Sequence, residues 1–184
     1  MKIGITGGIG SGKSYLCRLL ASRGITVYDC DAAAKRLMRT SSTLKKQLTH
    51  LIGPQAYDEQ GLPNKSAIAQ FLLASEDNAH AIDAIVHPAV FQDFEESGLQ
   101  WMESAIMYES GINRLVDKVI VVTAPEEVRI ERIMQRDGIS REKALEWIAR
   151  QWPQEKVRQY ADYEIVNDGE ADLEQQIDVI VHSL

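Results

Sequence analysis

Residues 7–14 read Gly-Gly-Ile-Gly-Ser-Gly-Lys-Ser, with Gly7 and Gly12 five positions apart ahead of a lysine and a hydroxyl. This is the G-x-x-x-x-G-K-[ST] spacing of a phosphate loop. Glycine allows the positive φ that turns the backbone tightly, and its missing side chain lets bare N–H groups face an anion. The helix that must follow adds the positive end of its dipole. In this reading Gly8, Gly10, Ser11, Gly12 and Tyr15 line the anion with backbone donors. Lys13 supplies a point charge for the β- and γ-phosphates, and Ser14 a hydroxyl ligand for Mg2+. A dinucleotide fingerprint fails on spacing, because its sixth position falls on Lys13 counted from Gly8 and on Tyr15 counted from Gly10. The expected ligand is a nucleoside triphosphate, ATP, with its magnesium.

Transfer of a phosphoryl group to an alcohol also needs a residue that orients the hydroxyl and takes its proton. Asp29 and Asp31 follow the short run Ile25–Tyr28, and ligands of parallel sheets bind at the carboxyl ends of the strands. Both acids qualify, and either can cap the helix that the segment AAAKRLM predicts. A guanine-reading N-K-x-D is absent, since Asn64-Lys65-Ser66 is followed by Ala67. The run KVIVVT ends in Thr123, leaving no evident Walker B acid of the kind motors use. A compact kinase fits best. Arg129, Arg132 and Arg136 recur at helical spacing beside Glu131, as either a phosphate-facing set or a solvated face.

These groups need a frame, and the hydropathy pattern provides one. Apolar runs at 2–6, 25–28, 104–108, 118–123 and 163–166 predict five strands. Helical periodicity at Tyr15–Ala21, Glu126–Gln135, Arg141–Arg150 and Leu173–Leu184 alternates with them, which predicts a parallel sheet covered on both sides. Residues 41–98 contain helical patterns and no convincing strand, with a short helix beginning at Asn64-Lys65-Ser66. Pro88 is expected to kink or restart the helix around it. The 184 residues suffice for one substantial core. A net charge of −7 argues against a nucleic-acid binder. No apolar run approaches the roughly 20 residues of a membrane span. Cys17 and Cys30 form no metal-ligand pattern, and a cytoplasmic protein with reduced thiols is expected. The sequence sets no oligomeric state.

Further motifs follow in a fixed order: DCD at 29–31, His87-Pro88, ESG at 109–111, DKVIVV at 117–122, RIMQRD at 132–137, Gln151, Glu155-Lys156, and ADYEIVNDG at 161–169. With TGGIGSGKS they resemble, nearly end to end, the dephospho-CoA kinases, which use ATP to phosphorylate the ribose 3′-hydroxyl of dephospho-CoA in the last step of coenzyme A synthesis. The resemblance implies a three-layer α/β P-loop kinase fold with a five-stranded parallel sheet. Residues 1–184 would form a single kinase domain, with 41–98 a helical insertion binding the acceptor, dephospho-CoA, and roughly 132–152 a helical lid. It implies Asp31 as general base, with Lys13 and Arg136 also acting in catalysis. Arg132 and Arg141 would close on ATP, and Asn167 would lie near the adenine. Asp29, His87 and Glu109 would face the acceptor. Ala105 and Tyr108 stand where the family commonly has proline and phenylalanine, and Tyr15 where it has threonine; the first two bear on the acceptor pocket. A nucleoside-monophosphate kinase would need a phosphate-gripping arginine in the insertion, and residues 41–98 contain none. A non-catalytic nucleotide switch would need sensing loops that the sequence does not offer.

Overall fold

The computed structural model describes all 184 residues. Five strands, β1 (Ile3–Thr6), β2 (Val27–Asp29), β3 (Trp101–Glu103), β4 (Lys118–Thr123) and β5 (Tyr163–Val166), form one sheet in the order β2-β3-β1-β4-β5. β1 pairs in parallel with β3 and with β4, and β4 with β5. The chain therefore leaves β1 toward one side and later returns to its other side. That reversal opens a crevice at the carboxyl end of β1.

The helices are α1 (Lys13–Ser22), α2 (Cys30–Thr40), α3 (Ser42–Ile52), α4 (Lys65–Ala74), α5 (Glu76–Ser97), α6 (Glu126–Asp137), α7 (Arg141–Ala149), α8 (Gln154–Tyr160) and α9 (Leu173–Ser183). Polar side chains start most of them. Asp29, Ser41, Asn64, Ser75, Ser140 and Asp172 each accept a hydrogen bond from an amide three residues on. Such caps satisfy donors that the first helical turn leaves open.

Two compact units result. One comprises Met1–Tyr28 and Leu99–Leu184. Its core sets Ile3, Ile5, Ile120, Val122 and Ile165 of the sheet against Leu16 and Leu20 of α1 and Ile177 and Ile180 of α9. The other unit, Asp29–Gly98, is helical. There α5 packs against α2, α3 and α4, burying Ile82, Val86, Val90, Phe91 and Phe94. α2, which strand–helix alternation alone would assign to the sheet, folds with this unit. No helix is long and apolar enough to cross a membrane.

Three local expectations are corrected. The third strand is Trp101–Glu103, and the apolar run at 104–108 is a turn. Ser104 ends the ladder by donating its amide to the Ile5 carbonyl at 3.0 Å. Met107 is then buried against Gly4, where a Cβ would collide with its Sδ at 2.6 Å. Burial, not strand pairing, explains the hydrophobicity of that run. α5 is one unbroken helix of 22 residues with Pro88 inside it, so no new helix begins there. A proline inside a helix removes one backbone bond and costs about 3 kcal/mol, which the apolar residues buried on both sides of it offset. Finally, β2 starts two residues later than expected and ends on Asp29.

Ile5 is fully buried beside the turn that leaves β1. Ile5→Ala is expected to cost about 2–5 kcal/mol in urea unfolding, through lost burial plus the cavity left behind.

Candidate active site

After Thr6 the backbone turns through Gly7, Gly10 and Gly12, at φ of 146°, 80° and 96°, and enters α1 at Lys13. No side chain caps α1. The amides of Gly10, Gly12 and Ser14 donate to no protein acceptor, whereas Ser11 N bonds the Gly8 carbonyl at 3.1 Å. Open amides at a helix N-terminus form an anion site. Lys13 is 9% exposed, and its Nζ donates to the Gly7 carbonyl at 2.7 Å. The same Nζ lies 3.8 Å from Glu103 Oε1. Glu103 pairs in register with Ile5, so it ends the strand next to the loop. The run KVIVVT of β4, where such an acid would be expected, ends in Thr123, and Glu103 is not among the expected site residues. Its only sequence signal is its place before the run at 104–108, which itself looked like the strand.

The carbonyl side of the loop is tied down from several directions. Asn167, after β5, donates Nδ2 to Ser11 O at 2.8 Å. A Cβ on Gly12 would collide with that same amide nitrogen. Arg132 of α6 donates Nη1 to Asn167 O at 3.0 Å and to Gly10 O at 3.4 Å, and Nη2 to Asn167 Oδ1 at 3.3 Å. Arg129, one turn earlier, donates Nε to Ile9 O at 2.9 Å. The Ile9 amide donates to Gln151 Oε1 at 2.7 Å. Arg129 is only 5% exposed, which excludes the solvated-face alternative for it.

A sequence model of the dephospho-CoA kinases matches residues 1–172. The dephospho-CoA kinase of Bacteroides fragilis strain YCH46 is 39% identical over 188 aligned residues, covering 96% of this chain and 89% of that protein. The chain belongs to the dephospho-CoA kinase family. A solved Thermus thermophilus protein superposes with a TM-score of 0.86 at 32% identity, covering 100% of this chain and 97% of that one. Dephospho-CoA kinase from Campylobacter jejuni shares the fold, with a TM-score of 0.68 at 22% identity and coverage of 100% and 97%. The architecture is the three-layer α/β fold of P-loop kinases, and the family implies nucleotide binding.

The positions that the dephospho-CoA kinase resemblance singles out are arranged unevenly. Within the sheet-bearing unit, Gly8, Gly10, Ser11, Gly12, Lys13, Ser14, Arg132 and Asn167 converge on the loop. The expectation that Tyr15 is an anion donor is corrected, because its amide already bonds the Gly12 carbonyl at 2.9 Å in the first turn of α1; its side chain is exposed, with the Arg18 guanidinium 5.5 Å from its ring centre. Arg136 and Arg141 are exposed and do not reach the loop: Arg136 chelates Asp137, and Arg141 chelates Glu127 at 2.7 and 2.6 Å. Glu109 Oε1 accepts the Trp152 amide at 3.1 Å, which ties the 104–111 turn to the start of the α8 segment. In the helical unit Asp29 caps α2 through Ala32 N at 2.8 Å. Asp31, two residues on, stands exposed in the first turn, where the helix dipole favours an anion. His87 lies inside α5, its Nε2 3.4 Å from Asp83 and its ring stacked on Phe91.

Tyr108, one of the departures from the family pattern, stacks on Trp152 with centroids 6.2 Å apart, and Tyr160 tilts against both. Its hydroxyl is buried without a partner. Burial, reinforced by the charge of Asp162, pushes the phenol up to about 12. A folded-state value above the ordinary one of roughly 10 means that stability falls as pH rises from there through the folded value. Tyr108→Phe is therefore expected to gain about 1 kcal/mol at neutral pH, because the orphaned hydroxyl is removed. It should also flatten the alkaline fall. Urea unfolding at neutral and alkaline pH checks both, and a loss of stability at neutral pH would contradict the first.

Proposed function

We propose that the chain transfers the γ-phosphoryl group of ATP to the ribose 3′-hydroxyl of dephospho-CoA, yielding coenzyme A and ADP. The observation that carries the nucleotide half is the row of open amides at Gly10, Gly12 and Ser14, with the Lys13 ammonium held 2.7 Å from the Gly7 carbonyl at the same turn. Membership of the dephospho-CoA kinase family supplies the acceptor.

In this reading the loop amides bind the phosphates, and Lys13 exchanges its internal partners for the β- and γ-oxygens. The Asp31 carboxylate takes the proton of the 3′-hydroxyl as its oxygen bonds to the γ-phosphorus and the bond from that phosphorus to the β–γ bridging oxygen breaks. Asp31 fits this work because Asp29 does the capping, so the second carboxylate of the pair keeps its lone pairs for substrate. The oxygen donors at the loop suit magnesium: the Ser14 hydroxyl, and the Glu103 carboxylate that lies 3.8 Å from Lys13 Nζ. Mg2+ takes one or two protein oxygens and fills its remaining positions with phosphate and water. Bound with the nucleotide, it would neutralise charge on the β- and γ-oxygens. Arg136, in an exposed pair with Asp137, would have to leave that partner to meet the transferring group, and exposed pairs are worth only about 0–1 kcal/mol.

ADP release from Mg-ATP is expected with dephospho-CoA and not with AMP, CMP or no acceptor; release indifferent to the acceptor would overturn the assignment. Asp31→Asn should lower kcat about 10²- to 10⁴-fold with ATP affinity nearly unchanged, the usual range for losing a general base. A comparable loss of ATP affinity would instead make Asp31 a nucleotide-site acid.

A further inference from the structure

The Ile9 peptide, at the crown of the phosphate loop, is held on both sides. Its amide donates to Gln151 Oε1 at 2.7 Å, and its carbonyl accepts from Arg129 Nε at 2.9 Å. Arg129 fills the space that Gly8 and Gly10 leave for want of side chains. A Cβ on Gly8 would strike the guanidinium, and one on Gly10 would lie 2.6 Å from the Arg129 carbonyl oxygen. A neutral donor would be enough to satisfy one carbonyl, yet the chain buries a full cation here.

That cation makes no ion pair within 4 Å, whereas Arg136 and Arg141 each hold a carboxylate. Glu126 and Glu155 act on it only through longer-range attraction, and burial lowers its affinity for a proton. A buried cation without a contacting anion costs several kcal/mol. A triphosphate seated on the amides of this loop would bring negative charge to the other side of the same short turn. We propose that Arg129 is a positioning residue of the nucleotide site, which with Gln151 fixes the Ile9 peptide so that the loop's amides stay open, and whose charge, only distantly balanced by Glu126 and Glu155, is compensated further when a polyphosphate is bound. The proposal rests on the ATP-binding reading above and assigns to that site a residue outside the phosphate-loop motif.

Its signature is opposite effects on the empty and the loaded protein. Arg129→Met removes charge and clamp, Arg129→Gln keeps a donor for Ile9 without the charge, and Arg129→Lys keeps the charge without the planar fork. Isothermal titration with Mg-ATP and Mg-ADP is expected to show about 10- to 100-fold weaker binding for Arg129→Met, the range for losing a charged hydrogen-bonding partner. Arg129→Gln should weaken binding by at least half of that factor on a logarithmic scale, and Arg129→Lys by less than Arg129→Gln. The melting temperature without nucleotide should be unchanged or higher in Arg129→Gln, while the rise on adding Mg-ATP shrinks. Affinities within twofold of wild type in Arg129→Gln, or a lower melting temperature with a full nucleotide-induced rise, would make Arg129 a packing residue. Should Arg129→Met not fold, the glutamine and lysine variants decide. Wild-type protein that bound no Mg-ATP would overturn the ATP reading itself; wild-type binding with unaltered variants would overturn only the role of Arg129.

Discussion

A loop that turns its amides toward a ligand turns its carbonyls elsewhere, and each carbonyl then needs a donor from the protein. Much of the sheet-bearing unit meets that one constraint. The Gly7 carbonyl takes Lys13, that of Ile9 takes Arg129, and those of Gly10 and Ser11 take Arg132 and Asn167. Three of these four donors are cationic side chains, so the groups that satisfy the carbonyls also make the turn electropositive. Hydrogen bonding and anion affinity are thus supplied by the same atoms, which explains how a chain of net charge −7 can present a local phosphate site.

The donors come from well-separated parts of the chain, α1, α6 and the segment after β5, and the parallel sheet brings them together. β1 runs between β3 and β4, and β5 lies beyond β4. Elements that leave the carboxyl ends of β4 and β5 therefore start beside the loop. α6 begins there, and its i, i+3 pair Arg129 and Arg132 points one face of the helix at two successive carbonyls. Farther along α6, Arg136 lies on the same face two turns beyond Arg129 and pairs in solvent with Asp137. The arginines of α6 and α7 that the family resemblance singles out are thus of two kinds: Arg132, already bound to the loop, and Arg136 and Arg141, held by surface carboxylates of their own neighbourhood.

What the sequence made legible follows from how local each feature is. The phosphate loop, the caps at Asp29 and Asn64, and the periodic faces of α1 and α9 depend on residues within a few positions of one another, and they were readable. Glu103 was not, because its value comes from β3 lying next to β1, and no spacing in the chain encodes that adjacency. The run at 104–108 misled because a buried turn and a buried strand are equally apolar. No helix restarts at Pro88, because the proline's cost is local and α5 offsets it through tertiary burial on both sides. For Arg129, periodicity placed it with Arg132 but could not say which side of α6 meets the loop. Gln151 was legible only as part of a family motif; its hydrogen bond to Ile9 spans 142 positions of sequence.

Under the proposed phosphoryl transfer, Asp29 and Asp31 divide two tasks that one residue cannot combine. A carboxylate that caps a helix spends its oxygen on a backbone amide and is fixed by it. A carboxylate that accepts a substrate proton must keep an oxygen directed outward. Placing both acids across the strand–helix junction satisfies both requirements: Asp29 begins the helix, and the helix then carries Asp31 in its first turn with its side chain exposed. The intervening Cys30 is buried. The spacing of the D-x-D motif therefore follows from helix geometry, since the cap must precede the first turn and the residue two positions later lies within it.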